Sequence, residues 1–259
     1  MQSIVEILAQ ELGQKQQYIE NVVNLIDEGN TIPFIARYRK EMHGAMDDTT
    51  LRNLETRLTY LRNLQQRRDE VKKSIENQGK LTEELSAAID NASTMTEVED
   101  LYRPYKQKRR TRGSIAREKG LDPLAQAIFA QDGQDIEKLA QGFLDEEKGV
   151  ATVEEAIAGA SDIIAENLSD DAEIRKNLRA LVMRRGSLVS NADDPDTDTV
   201  YKLYYDFNQS ITRLMDHQIL AINRGEKEEK LKVSVELDRE LALRTVRRSV
   251  VIPGSAARQ

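Results

Sequence analysis

Residues 47–76, DDTTLRNLETRLTYLRNLQQRRDEVKKSIE, decide the fold class of this 259-residue chain. Leu51, Leu54, Leu58, Leu61, Leu64, Val71 and Ile75 recur at 3-, 4- and 7-residue steps, which draws one apolar stripe along one helix. Asp47 and Asp48 precede the segment, and it ends near Gly79. The opposite face carries Arg57, Arg62, Arg67, Arg68, Lys72 and Lys73, mixed with acids. The stripe reads as core or helix-packing surface. A dimeric coiled coil is disfavoured because Arg68 interrupts the apolar spacing.

On the N-terminal side, residues 2 to 12 and 15 to 28 read as two amphipathic helices, with Gly29 as a stop signal. Thr31–Glu41, TIPFIARYRKE, then reads as a short helix that Thr31 can cap and whose first turn suits Pro33. It sets an apolar plug, Phe34, Ile35 and Ala36, against Arg37, Tyr38, Arg39 and Lys40. Helix, Gly-containing turn and second helix is the outline of a helix-turn-helix. Two readings stand for the cluster. Arg37, Arg39 and Lys40 contact phosphates, or Phe34 and Ile35 dock in the core while Arg37 and Arg39 pair with acids on the long helix.

On the C-terminal side a helix is expected over about 82 to 91. Thr94 with Glu97 has capping-box spacing and opens a helix that Pro104 stops. A basic loop runs from Arg103 to Arg112. Asp122 followed by Pro123, Thr152 with Glu155, and Asp170 with Glu173 mark three further helix starts. Composition changes after Gly186: an acidic loop spans Asn191 to Asp198, and Tyr201, Tyr204, Tyr205 and Phe207 follow. A helix is expected over 217 to 224, a strand over 231 to 237 from the alternation of Leu231, Val233, Val235 and Leu237 with polar residues, and a last helix over about 238 to 248. The fold class is therefore mainly α: a multi-helical array with a helix-turn-helix-like N-terminal element and a minor β element near 231–237. Three regions are expected, 1–120, 121–190 and 191–259.

Composition narrows the chemistry. There is no Cys, which excludes disulfides and thiol catalysis. The two histidines, His43 and His217, are remote from each other and read as surface or packing residues. No apolar run approaches the roughly 20 residues that cross a bilayer, so no membrane is expected. The opening MQSIVEILAQEL places Glu6 and Glu11 where a secretory signal has an unbroken apolar core, and a cytoplasmic protein is expected. There is no phosphate-binding Gly-rich loop, dinucleotide fingerprint or nucleophile elbow, and the usual zinc ligands are missing. Asp194, Asp196 and Asp198 match the first three ligand positions of an EF-hand loop, but Thr199 and Tyr205 stand where Gly and Glu belong, so the segment reads as a solvated acidic turn. No catalytic residue, cofactor or metal is expected, and the chain is not read as an enzyme.

The net charge is −7, so any nucleic-acid contact requires a local concentration of cations. The basic loop supplies one. Arg103, Lys106, Lys108, Arg109, Arg110 and Arg112 place six positive charges in ten residues with no acid among them. Tyr102 and Tyr105 lie at its start and Pro104 is expected to hold it extended. Cations for phosphates beside a ring such as Tyr105 for stacked bases are what a single-stranded path needs. The alternative is a solvated loop, or one paired with acids elsewhere. The Tyr201–Phe207 cluster reads as packing, with stacking as its alternative.

The chain also resembles the Tex family of bacterial transcription accessory proteins. The resemblance begins at Pro33–Lys40 and continues through Leu51-Arg52-Asn53-Leu54-Glu55 and Tyr60-Leu61-Arg62-Asn63-Leu64. It recurs at Gln78-Gly79-Lys80-Leu81-Thr82, Glu99-Asp100-Leu101-Tyr102-Arg103-Pro104-Tyr105-Lys106 and Lys108-Arg109-Arg110-Thr111. Ile115-Ala116-Arg117-Glu118, Gly149-Val150-Ala151 and Tyr205-Asp206-Phe207 extend it, more loosely after residue 120. Members of this family carry a ribonuclease-H-like domain, helix-hairpin-helix elements and an OB-fold RNA-binding domain after the helical region, so this chain is expected to be an N-terminal fragment. The resemblance implies a role in transcription and binding of RNA or DNA, without an established catalytic activity. The alternative is a protein-interaction module that contacts RNA polymerase or other domains of the intact protein.

Overall fold

A computed structural model describes residues 3–107 and 109–255; Lys108 lies outside the described residues. The described chain is mainly α, with thirteen α-helices and one three-stranded sheet. It forms two compact units, Met1–Tyr105 and Lys106–Gln259.

The first unit holds α1 (Ile4–Leu12), α2 (Gln16–Asp27), α3 (Ile32–Tyr38), α4 (Asp48–Glu76), α5 (Glu83–Asn91) and α6 (Met95–Tyr102). Its core is the α4 stripe. All seven apolar positions from Leu51 to Ile75 are buried, and Leu8, Ile19, Val22, Ile32, Ile35, Ile89 and Val98 close over them from the shorter helices. Asp47 caps α4, its carboxylate accepting from the Thr50 amide at 2.7 Å. Gly13 ends α1 in the left-handed region, at φ 62°. Gly44 has φ 58° in the turn before α4, and the Tyr18 ring lies 2.4 Å from where a Cβ would stand, so no larger residue fits. His43, beside it, is a packing residue at 1% exposure, whereas His217 is exposed.

The cations of α4 reach outward to the other helices. Arg57 donates to both carboxylate oxygens of Glu11 on α1 at 2.7 and 2.6 Å, and Arg62 does the same to Asp27 on α2 at 2.6 and 2.7 Å. Arg67 binds Glu99 on α6 at 2.7 Å, and Lys72 binds Asp90 on α5 at 2.6 Å. Arg68, which breaks the apolar spacing, donates to the Ala92 carbonyl at 2.8 Å and ties α4 to the end of α5.

Four local expectations are corrected. Thr31 precedes α3 in extended backbone but makes no side-chain cap bond. Phe34 does not dock in the core: Ile32 and Ile35 take the inward positions and Phe34 is 36% exposed. Pro104 does not hold the chain extended, because Arg103–Tyr105 forms a 3-10 turn directly after α6. Asp171, one residue beyond the expected start, caps α11 through the Ile174 amide at 2.7 Å.

The second unit comprises α7 (Arg112–Glu118), α8 (Asp122–Ala130), α9 (Ile136–Gln141), α10 (Val153–Asp170), α11 (Ala172–Arg185), β1 (Ser187–Ala192), β2 (Asp206–Ser210), α12 (Asp216–Lys227), β3 (Leu231–Glu236) and α13 (Arg239–Val250). Thr152 and Glu155 form a full capping box that starts α10. Ala156, Ala160 and Ile163 of α10 pack against Ala116, Leu121, Leu124, Ala125 and Ala140, and small residues let α7, α8 and α9 approach closely. The sheet has the order β2-β1-β3 and is antiparallel throughout, with Ser187 opposite both Ser210 and Glu236. Only β3 was expected from the sequence. The aromatic cluster packs around this sheet: Tyr201 is buried, Tyr204 meets Phe207 edge-on at 5.5 Å, and the Tyr205 hydroxyl donates to the Thr197 carbonyl. Asp194 is used inside its own turn, accepting from the Asp196 amide at 3.1 Å and the Thr197 hydroxyl at 2.6 Å.

Two measurements test this account of the first unit. Leu54→Ala removes a side chain at 0% exposure from the centre of the stripe and should cost about 2–5 kcal/mol in urea unfolding. The Glu11 and Asp27 carboxyls are held below the ordinary carboxylate range, first by hydrogen bonds from Arg57 and Arg62. A lowered folded-state pKa stabilises above the unfolded value, about 4, and that contribution disappears as the pH falls through the lowered range. Both pairs are partly solvated, so each is worth about 1 kcal/mol or less. Arg57→Gln with Arg62→Gln should therefore lower stability at pH 7 and make little difference near pH 2.

Candidate nucleic-acid interface

In sequence the basic stretch runs from the last residues of the first unit into the first residues of the second. On the first-unit side, Tyr102 and Tyr105 are half-buried against the core. The Tyr102 hydroxyl meets Ser74 at 2.8 Å, Arg67 lies 5.5 Å from its ring centroid, and the Tyr105 carbonyl accepts from Gln78 at 3.1 Å. Tyr105 is thus partly committed to packing, which leaves only part of its ring for a base. Arg103 is exposed on the 3-10 turn and engages a partner of its own.

On the second-unit side, Lys106 is exposed and also engaged. Arg109 is exposed and has no carboxylate partner among the described residues. Arg110 pairs with Glu118 at 2.9 Å and Arg112 with Asp162 at 3.9 Å, both in solvent. Exposed pairs of this kind contribute about 0–1 kcal/mol, so a phosphate can displace either carboxylate at little cost. The loop runs into a firmly anchored helix. Thr111 and Ser114 form the capping box of α7, and the Thr111 hydroxyl also donates to Glu166 on α10 at 3.0 Å. Arg117 donates to the same carboxylate and to Asn167, the latter at 2.7 Å. Gly113 sits against this contact: a Cβ there would stand 2.6 Å from a Glu166 carboxylate oxygen and 3.2 Å from the Asp162 carbonyl.

The third group of cations lies on and just after α3. Arg37, Arg39 and Lys40 are exposed, and none of their side chains has a carboxylate partner among the described residues. The expected pairing of Arg37 and Arg39 with acids on α4 is absent there. Arg37 lies off the face that Ile32 and Ile35 bury, and Arg39 follows the last helical residue with φ −129° and ψ 36°, outside the helical range, so neither continues the inward face. Phe34 and Tyr38, four residues apart, share the outer side with ring centroids 5.3 Å apart and planes tilted by 47°. Arg39 lies 5.4 Å from the Phe34 centroid and Arg37 lies 5.9 Å from that of Tyr38. Neither ring was among the expected site residues. Their i, i+4 spacing beside two cations was the available signal.

Gly113→Ala should destabilise the second unit by about 1–3 kcal/mol, read as a lower unfolding midpoint. Adding Glu166→Ala should worsen the loss, because Thr111 and Arg117 then lose their acceptor, even though the clash is relieved.

Two family descriptions match the chain: the Tex-like protein N-terminal domain over residues 2–76 and a Tex central region-like segment over 131–252. The uncharacterized protein YdcI of Bacillus subtilis is 45% identical over 233 residues, which is 88% of this chain and 32% of that protein. The transcriptional accessory protein Tex of Neisseria gonorrhoeae is 41% identical over 236 residues, 90% of this chain and 31% of that one. The human S1 RNA-binding domain-containing protein 1 is 30% identical over 244 residues, 90% of this chain and 24% of that one. The chain thus spans about a quarter to a third of the length of these relatives.

Proposed function

The chain belongs to the Tex-like family, and on that premise we propose that it is the helical part of a transcription accessory protein that contacts the phosphates of RNA or DNA. One observation carries this reading. Arg57, Arg62, Arg67 and Lys72 of α4 are clamped by carboxylates from neighbouring helices, yet Arg37, Arg39 and Lys40 stand in solvent without an acidic partner among the described residues. In a chain with 45 acids against 38 basic residues, such cations are the ones available to a polyanion. Arg109 has the same character in the second unit, and Arg110 and Arg112 hold only solvent-exposed partners. RNA is the first ligand to test, since the human relative's name declares RNA binding for that protein. No catalytic step is assigned to the chain.

A second reading, docking to RNA polymerase or another protein domain, is favoured by exposed apolar side chains in the second unit. Val200 is 87%, Leu203 84% and Leu220 70% exposed. Among the described residues no helix is long and apolar enough to cross a membrane.

A salt series on the 259-residue chain separates these readings. Fluorescence anisotropy with a labelled single-stranded RNA should show affinity falling steeply with salt. Replacing Arg37, Arg39 and Lys40 together by Ala should reduce the slope of log K against log salt by about 2, at roughly 0.7 per phosphate contact. Arg109→Ala with Arg110→Ala should reduce it by about 1.4. Absence of RNA and DNA binding at low salt would remove the nucleic-acid reading for this chain.

A further inference from the structure

We infer that the outer side of α3 is a stacking platform for unpaired bases, in which Phe34 and Tyr38 receive bases while Arg37, Arg39 and Lys40 hold the flanking phosphates. The inference rests on the nucleic-acid reading above and deepens it by naming the ligand as a single strand. Its inner side fixes the platform: Ile32 is 2% and Ile35 0% exposed, both within the core around α4. The outer side therefore does not drift with solvent. On it, Phe34 and Tyr38 are 36% and 56% exposed, large rings left in water on a helix whose buried face is already complete.

Ordinary helix stabilisation accounts for part of the arrangement. An i, i+4 ring pair with cations over the rings contributes on a free surface as well. That explanation leaves the charge unexplained. Glu41 is the one acid between Thr31 and Met46, and Glu11, Asp27 and Asp90 of the first unit are already paired with cations of α4. Two exposed rings, two guanidinium planes and an ammonium group without acids between them are complementary to a strand that offers both faces of its bases and a phosphate per nucleotide. A duplex offers the phosphates but hides the base faces, so the rings would gain nothing from it. An acidic protein segment matches the charge and not the rings.

The test compares three probes of equal length on the 259-residue chain: a single-stranded RNA carrying 2-aminopurine, an oligonucleotide with the same phosphates and abasic sugars, and a blunt duplex. The expected result is binding of the base-bearing strand about fivefold or more tighter than the abasic one, with quenching of the 2-aminopurine. Phe34→Leu with Tyr38→Leu keeps apolar cover and helix propensity while removing the rings. It should abolish both the discrimination and the quenching while leaving the salt slope unchanged. Equal affinity of the unaltered chain for base-bearing and abasic strands would overturn the platform and leave phosphate contact standing, and this comparison needs no variant. Preference for the duplex, discrimination that survives the double substitution, or displacement by polyglutamate as effective as by RNA would also overturn it. Failure of every probe at low salt would instead remove the nucleic-acid reading itself.

Discussion

The first unit depends on a single long helix that is asked to be apolar on one side and ionically bonded on the other. The α4 stripe gives α1, α2, α3, α5 and α6 one surface to bury against, and the opposite edges of the same helix grip four of them through carboxylates. The apolar contact supplies the free energy, since burial is non-directional and scales with area. The ion pairs contribute less, but they have direction. A two-pronged guanidinium–carboxylate contact fixes where along α4 each short helix sits. Arg68 belongs to the same scheme, because its polar head reaches the Ala92 carbonyl at a point where a leucine would have left that carbonyl unsatisfied.

This arrangement sorts the cations of the unit into two populations. Arg57, Arg62, Arg67 and Lys72 of α4 face carboxylates across a helix interface. Arg37 on α3 and Arg39 and Lys40 just after it do not: the buried positions of α3 are taken by isoleucine, and the helix ends at Tyr38. The charge of all three is directed to solvent. The start of the second unit adds a third population, in which Arg110 and Arg112 have partners that are themselves solvated.

The helical framework was legible because its signal repeats. Seven stripe positions over α4 leave no doubt of phase, and the Thr152–Glu155 box states its own start. Short elements carried too few repeats. In α3 the expected pair splits: Ile35 is buried with Ile32, whereas Phe34 stays outside. α7 and α9, with seven and six residues, passed unnoticed. β1 reads SLVSNA and β2 reads DFNQS, neither of which alternates, so the sheet was visible only in its third strand. The ion pairs of α4 could not be read at all, since Arg57 and Glu11 lie 46 positions apart and Arg62 and Asp27 lie 35 apart. Charge density made the basic stretch conspicuous. Its tyrosines belong half to the core, and that follows from packing rather than composition.

The order of the sheet has a consequence for synthesis. β1 lies in the middle, yet its second neighbour β3 is translated about forty residues after it. At ribosomal speeds of roughly 5–20 residues per second, the central strand waits on the order of 2–8 seconds with one side unpaired. An unpaired strand is a template for other nascent chains. Ser187, Ser190 and Asn191 make this one a poor template: a strand half composed of small polar side chains offers little apolar surface to a stranger, and closes only when its own partner arrives.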